Sequence, residues 1–169
     1  MLRGAIIGFG RMGMTHFSIL NTHPEVRFIA VCDSLGLALK NIKKYMALEV
    51  FDDYRAMIDT CNLDFVVIAT PTGMHADAVR YATERNIHVF VEKPFVLKSV
   101  DGQSLADVVA SRGLINQVGY VLRFSDVFQE VRRHLNDGML GDLVSFRMEM
   151  AGPTILKDAK SSWRSKKTE

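Results

Sequence analysis

The sequence predicts a doubly wound α/β fold, in which helices cover both faces of a parallel β-sheet, followed by the start of an α+β second domain. Two observations predict the first part: short apolar runs alternate with longer amphipathic segments, and a glycine-rich turn follows the first apolar run. A change of composition after Gly119 predicts the second domain.

Six apolar runs have the length and composition of buried strands. The clearest covers residues 65–69 and shows no alternation of polar and apolar side chains, which is typical of a parallel strand covered on both faces. Several of the runs are rich in β-branched and aromatic residues. The other five cover residues 5–7, 26–31, 49–51, 86–91 and 114–118.

Amphipathic segments lie between these runs, and their apolar residues recur with helical period. Parallel neighbours need crossover connections of this kind, which are right-handed in nearly all proteins. We predict that Thr72 caps the fourth of these helices at its N-terminus. The predicted helices cover residues 11–20, 34–46, 53–59, 73–84 and 99–112.

The segment after residue 120 has a different pattern. Residues 126–135 predict a helix, and Asn136-Asp137-Gly138 would end it. Residues 143–150 alternate apolar and polar side chains, which favours a one-faced strand of an antiparallel sheet. We therefore expect one domain over residues 1–120 and the incomplete beginning of a second over residues 121–169.

Composition excludes several classes of protein. The 169 residues carry 21 basic and 19 acidic side chains, a net charge of +2, without the basic stripe of a nucleic-acid-binding protein. Two cysteines, Cys32 and Cys61, are too few for a disulfide scaffold and match no zinc motif. No apolar run reaches membrane-spanning length, and the first residues do not form a targeting segment. We expect a cytoplasmic protein that binds neither nucleic acid nor membrane.

A G-x-G-x-x-G motif follows the first predicted strand and opens the first helix. In this context the first glycine permits a tight turn, the second lets a pyrophosphate approach the backbone, and the third lets the helix pack on the strand. The N–H groups at the helix start would face the anion. The motif therefore predicts a dinucleotide-binding loop formed by Gly8, Phe9, Gly10, Arg11, Met12 and Gly13.

Asp33 stands 20 positions after Gly13, at the end of the second apolar run. A carboxylate at that place accepts hydrogen bonds from ribose hydroxyls and repels a 2′-phosphate, so NAD is predicted in preference to NADP. The alternative is a tight-turn βα unit with a solvated aspartate.

Two later strand ends carry further candidates, because ligands of doubly wound sheets lie at the carboxyl ends of the strands. Lys93 can donate to a substrate hydroxyl or carbonyl, or it can be an ordinary lysine in a salt bridge. His75 can face a ligand, although a surface or capping role is the commoner one. No pair of histidines has metal-ligand spacing with a supporting acid, so no metal is predicted.

Motifs spread over nearly the whole chain resemble those of the Gfo/Idh/MocA oxidoreductases, named after glucose–fructose oxidoreductase, inositol dehydrogenase and a rhizopine-catabolism protein. They occur in the order of that family and at its approximate spacing. They are the glycine motif at 8–13, Ala69-Thr70-Pro71-Thr72 with His75-Ala76-Asp77, Val91-Glu92-Lys93-Pro94, Val118-Gly119-Tyr120 with Arg123-Phe124, Leu140-Gly141-Asp142, and Trp163-Arg164.

The resemblance implies a Rossmann domain and NAD(P)-dependent oxidation or reduction of a hydroxyl on a sugar, sugar nucleotide or cyclic polyol. It implies that Lys93 is catalytic and touches both cofactor and substrate hydroxyl, and that its bond to Pro94 is cis. Relatives commonly form oligomers through the second domain. The resemblance further places Thr70, Pro71, Thr72, His75 and Glu92 in the cofactor pocket, and Arg123, Trp163 and Arg164 on the substrate side.

One departure from the family pattern leaves alternatives open. Family members carry an Asp-x-x-x-His helix that supplies a proton donor or acceptor, and this sequence has no such motif. We expect the N-terminal part of a longer dehydrogenase. The alternatives are an NAD(H)-binding sensor or structural partner without turnover, and another two-domain dehydrogenase of homoserine or dipicolinate type, against which the Glu-Lys-Pro motif speaks.

Overall fold

A six-stranded parallel sheet forms the centre of the protein, seen here in a computed structural model that describes residues 1–34 and 42–149. The strand order is β3-β2-β1-β4-β5-β6, and every neighbouring pair is parallel. This confirms the predicted doubly wound sheet. The strands are β1 (Leu2–Ile7), β2 (Val26–Cys32), β3 (Glu49–Phe51), β4 (Phe65–Ile68), β5 (His88–Val91) and β6 (Asn116–Val118).

Helices lie where the periodic segments predicted them. Residues 42–45 are helical, and residues 35–41 of the helix predicted over 34–46 lie outside the described residues. The others are α1 (Arg11–Leu20), α2 (Tyr54–Thr60), α3 (His75–Glu84), α4 (Ser99–Ser111) and α5 (Asp126–Asn136).

Two apolar clusters bury the two faces of the sheet. Ile7 and Ile68 belong to one cluster, whereas their neighbours Ile6 and Val67 belong to the other, and all four are at most 1% exposed. Alternate side chains point to opposite faces of a strand. A continuous apolar run is therefore what a strand needs when both of its faces are covered.

The bounds of several elements differ from the prediction by up to three residues, as in β1 and β6, and three local differences have a clear physical reason. Thr72 makes no capping hydrogen bond, because a 3₁₀ turn over Thr72–Met74 precedes α3. Strand β5 begins at His88 and not at residue 86, because Asn86 has a φ of 59° and forms the turn before the strand. Residues 143–149, predicted as a strand, carry no strand here; a strand needs a hydrogen-bonded neighbour, and none of the described strands pairs with them.

The chain divides into two compact units, Met1–Tyr120 and Val121–Glu169. The described part of the second unit contains a 3₁₀ turn over Val121–Phe124 and helix α5, on which Arg133 pairs with Glu130 and Asp137. Among the described residues, no helix has both the length and the apolar character needed to cross a membrane.

Candidate active site

The candidate site lies at the edge of the sheet where the parallel strands end. Strand β1 lies between β2 and β4. Strands β2 and β3 extend the sheet on one side of β1, and β4, β5 and β6 extend it on the other side. The direction in which strands are added therefore changes at the β1–β4 boundary. A crevice at such a boundary is where doubly wound sheets bind nucleotides. Four loops meet at this edge: 8–13 after β1, Asp33 after β2, 69–72 after β4, and 92–95 after β5.

The first loop, residues 8–13, is shaped by its glycines. Gly8 has a φ of 91°, and a Cβ placed on it would lie 2.8 Å from the carbonyl carbon of Ala69. A Cβ on Gly13 would lie 2.0 Å from the carbonyl oxygen of Gly8, so α1 packs directly on the end of β1. Only Gly10 faces open space, with no atom within 4 Å of its missing Cβ. These are the three roles that the motif predicts.

The start of α1 suits an anion. The helix has no acidic side chain in its first turn, and its N-cap residue, Gly10, offers no side-chain acceptor to the first N–H groups. Those N–H groups have no partner within the helix, and the helix dipole places partial positive charge beside them. The loop and helix therefore fit a pyrophosphate group at Gly10.

Asp33 lies at the mouth of the same loop. Its Oδ2 accepts a hydrogen bond from the backbone N–H of Phe9 at 2.6 Å, which brings the carboxylate beside the glycine turn. The ring of Phe9 points inward, is 9% exposed and packs against Phe17 at 5.7 Å between ring centroids. The backbone N–H of Phe9 thus bonds Asp33, while its side chain packs in the core.

His75 holds the loops after β4 and β5 together. Its ring is 1% exposed; Nδ1 lies 2.9 Å from the carbonyl oxygen of Pro94, and Nε2 lies 2.9 Å from that of Thr70. Both ring nitrogens therefore lie within hydrogen-bond distance of backbone carbonyls. In the structure His75 joins two loops, and its assignment to the cofactor pocket stays a prediction.

Thr70, Pro71 and Thr72 lie on the loop after β4, beside Gly8. Pro71 is exposed and Thr72 is buried. The hydroxyl of Thr70 is buried and has no hydrogen-bond partner among the described residues.

Lys93 lies on the exposed part of the loop after β5, and its bond to Pro94 is cis. In the described ranges, its ammonium group enters no ion pair. The alternative, in which Lys93 is an ordinary salt-bridge lysine, therefore has no support within the described residues. A solvent-facing ammonium at this edge can donate to a ligand oxygen.

Glu92, next to Lys93, is buried and bonded to a histidine that sequence reasoning passed over. His16 Nε2 lies 2.7 Å from Glu92 Oε1, and the two side chains are 14% and 9% exposed. His16 stands three residues after Gly13 on α1. This spacing could have identified His16 from the sequence. A residue one turn into the first helix lies close to the ends of the neighbouring strands.

Cys32, beside Asp33, is not a nucleophile. Burial raises the pKa of the Cys32 thiol to about 12, and the negative charges of Asp53 and Asp33 add to the effect. The thiol therefore stays protonated near neutral pH, and the thiolate is the reactive form. No group of three or more metal-binding side chains occurs in residues 1–34 or 42–149.

The assignment of three residues to the substrate side stays a prediction. Arg123 lies on the 3₁₀ turn of the second unit and is exposed. Trp163 and Arg164 lie outside the described residues.

Known proteins resemble this chain along most of its length. A family profile described as an oxidoreductase family with an NAD-binding Rossmann fold matches residues 2–120. The NAD(+)-dependent scyllo-inositol 2-dehydrogenase of Bacillus subtilis is 30% identical over 149 residues, 86% of this chain and 43% of that protein. The inositol 2-dehydrogenase of Rhizobium meliloti is 31% identical over 84% of this chain and 43% of its own length.

Solved structures give the same result. The myo-inositol 2-dehydrogenase of Lactobacillus plantarum superposes with a TM-score of 0.75 at 32% identity, covering 85% of this chain and 43% of that one. The scyllo-inositol dehydrogenase of Lactobacillus casei, solved with NAD(H) and scyllo-inositol, also gives a TM-score of 0.75, at 28% identity, covering 83% and 42%. The chain thus spans less than half the length of these relatives.

Proposed function

This chain belongs to the Gfo/Idh/MocA family of oxidoreductases with an NAD-binding Rossmann fold, and we propose that it is the cofactor-binding part of an NAD-dependent dehydrogenase. The substrate is a hydroxyl of a sugar, sugar nucleotide or cyclic polyol. One observation carries the proposal: the Asp33 carboxylate is bonded to the glycine loop at Phe9, so a ribose site and a pyrophosphate site adjoin each other.

The cofactor is held by the loop over residues 8–13 and by Asp33. The N–H groups at the start of α1 bind the pyrophosphate, and Gly10 leaves room for it. The Asp33 carboxylate accepts from the adenosine ribose and disfavours a phosphate on that ribose, which selects NAD over NADP. When bound, the nicotinamide ring accepts or donates the hydride.

Lys93 is the catalytic residue of this proposal. Its ammonium donates to the substrate oxygen and stabilises the negative charge that develops there as the hydroxyl loses its proton. Its exposed position and its lack of an ion pair within the described residues support this role.

Oligomerisation and location complete the proposal. Apolar side chains of the second unit, among them Val144 and Phe146, are more than 80% exposed, which supports association through that unit. Both cysteines are free thiols, which supports a reducing compartment such as the cytoplasm.

A second function would use the same loop and carboxylate. An NAD(H)-binding sensor without turnover would hold its ligand through residues 8–13 and Asp33. Both functions require NADH binding and differ only in turnover.

Titration calorimetry of the full chain with NAD⁺, NADH and NADP⁺ tests the cofactor. We expect NADH to bind and NADP⁺ to bind at least about tenfold more weakly. In Asp33→Asn the amide oxygen still accepts from Phe9 but the charge is gone, so the preference for NAD should fall by about tenfold. Asp53→Asn, at the N-terminus of α2, is the matched control and should leave the preference unchanged.

Turnover separates the two functions. The whole protein should reduce NAD⁺ with at least one member of a panel of inositols and sugars, followed by the near-ultraviolet absorbance of reduced nicotinamide. Tight NADH binding without turnover on any member would favour the sensor. Absence of NADH binding would exclude both.

A further inference from the structure

Buried Glu92 and partly buried His16 form a polar pair that the proposed chemistry does not use. They join α1, which follows the glycine loop, to the segment that follows β5 and carries Lys93. Glu92 is only 7% exposed. The pair therefore links the two sides of the candidate site through side chains alone.

Both oxygens of the Glu92 carboxylate accept hydrogen bonds. Oε1 accepts from His16 Nε2 at 2.7 Å, and Oε2 accepts from the backbone N–H of Lys93 at 3.2 Å. An ionised carboxylate is acceptor-only, so the ring nitrogen of His16 must be the donor. The carboxylate thus connects α1, through His16, to the backbone N–H of Lys93.

Neighbouring residues hold this pair in one arrangement. The ring of Phe90 packs edge-on against His16 at 4.8 Å between centroids. Gly119, at the end of β6, leaves space for the carboxylate: a Cβ there would lie 3.1 Å from Glu92 Oε1. A side chain at position 119 would therefore crowd the carboxylate in its bonded arrangement.

Stability does not account for such a pair. Burying a carboxylate beside a histidine costs desolvation energy, and apolar side chains of similar volume commonly serve a fold as well or better. Rigid support of a neighbouring functional group is a reason for keeping it, because a reacting group must be held within a fraction of an ångström.

We propose that His16, acting through Glu92, is a positioning residue that fixes Lys93 against the nicotinamide end of the cofactor. The inference rests on the proposed function, since it takes Lys93 to be the group that meets cofactor and substrate. His75 fixes the other side of the same loop through the carbonyl of Pro94. Lys93 then stands between two anchored points.

The first experiment needs no cofactor. Amide hydrogen exchange of the full chain measures how well the Lys93 N–H is held. In His16→Leu the carboxylate loses its second bond, and the Lys93 amide should exchange about tenfold faster. In His16→Gln the side-chain amide replaces the donor, and exchange should stay within about twofold of the native rate. His23→Leu, at an exposed histidine, is the matched control.

The second experiment separates positioning from general support of the fold. NADH and ADP-ribose share the pyrophosphate and adenosine, but only NADH reaches Lys93 with its nicotinamide end. His16→Leu should weaken NADH binding about fivefold and leave ADP-ribose binding unchanged. NADH should protect Lys93 from acylation by acetic anhydride in the native chain and in His16→Gln, but far less in His16→Leu.

Each outcome decides one question. Equal exchange of the Lys93 amide in the native chain and in His16→Leu overturns the inference, whether or not NADH binds. Equal losses of NADH and ADP-ribose affinity also overturn it, because His16 would then serve α1 alone. Failure of the native chain to bind either nucleotide rejects the proposed function and leaves the exchange experiment to decide on His16.

Glu92→Met keeps the inference testable if His16→Leu does not fold. The methionine side chain has neither carboxylate oxygen, so both hydrogen bonds are lost. Exchange of the Lys93 amide should rise several-fold. A native rate in this variant would contradict the proposal.

Discussion

The two loops that frame the candidate site are held by opposite means. The loop over residues 8–13 is shaped by missing side chains: Gly13 sits where a Cβ would collide with a backbone oxygen. The loop over residues 92–95 is held by the polar side chains of His75 and of the His16–Glu92 pair. The first should therefore reject any added carbon, whereas the second should accept a replacement that keeps its hydrogen bonds.

The largest effect is expected at Gly13. Its added Cβ in Gly13→Ala would lie 2.0 Å from the carbonyl oxygen of Gly8, and neither backbone can move without separating α1 from β1. We expect the free energy of unfolding, measured by urea denaturation, to fall by about 3 kcal/mol.

Gly10→Ala is the control for this substitution. With open space around its Cβ, it should cost less than about 1 kcal/mol of stability and yet weaken NADH binding. Equal destabilisation by the two substitutions would mean that the loop is not shaped by close contact at Gly13.

His75→Phe should have the second largest effect. An aromatic ring is kept, but no ring nitrogen remains to bond the carbonyls of Thr70 and Pro94. These contacts are partly buried, and acceptors left unsatisfied in this way cost about 2 kcal/mol. Chemical denaturation measures the loss, and His23→Phe, at an exposed position, should change stability by less than about 0.5 kcal/mol. A small effect at His75 would show that the second loop is held in another way.

A surface cluster between α2 and α3 should show how little exposed polar contacts contribute in comparison. Hydrogen bonds from the Tyr54 hydroxyl, and then from the Arg55 guanidinium, lower the pKa of Asp77 below its usual value. The resulting stability is present above the unfolded pKa of about 4 and is lost as the pH falls through the lower, folded pKa.

Asp77→Asn tests this pH dependence. Because both side chains of the Arg55–Asp77 pair are at least half exposed, the variant should cost less than about 1 kcal/mol at pH 7. The difference from the native chain should shrink at acid pH. A difference that grows as the pH falls would contradict the lowered pKa of Asp77.

The smallest effect is expected at Thr70. Its buried hydroxyl has no partner in the described part of the chain, so Thr70→Val should leave the free energy of unfolding unchanged or slightly raised. Thr83→Val is the matched control: the Thr83 hydroxyl donates to the carbonyl of Val79 at 2.9 Å, and its loss should cost about 1 kcal/mol. A cost at Thr70 equal to that at Thr83 would reveal a partner for its hydroxyl.

Most of the fold could be predicted because its signals are local. The apolar run over residues 65–69 predicts both a strand and its burial on two faces. The glycine motif predicts the turn and the helix that follows it. Predictions that depend on contacts with residues distant in the sequence were less accurate. Residues 143–149 alternate as a strand does, yet alternation cannot supply the paired strand that a sheet requires.

The residues of the candidate site also differ in whether the sequence could predict them. Asp33 and Lys93 could be found because each follows a predicted strand, where ligands of such sheets bind. His16 was missed because its partner, Glu92, is 76 residues away along the chain. His75 was found, but the structure gives its ring nitrogens to two backbone carbonyls.

By itself, the sequence determined the succession of strands and helices, the glycine turn after β1 and the position of Asp33 at the end of β2. These depend on period, backbone freedom and distance along the chain, all of which act between near neighbours. Only the tertiary structure decided that two histidines from different helices, His16 and His75, contact the segment around Lys93. Side-chain hydrogen bonds form between whatever groups the packing of the sheet brings within 3 Å, and the linear sequence carries no record of that distance.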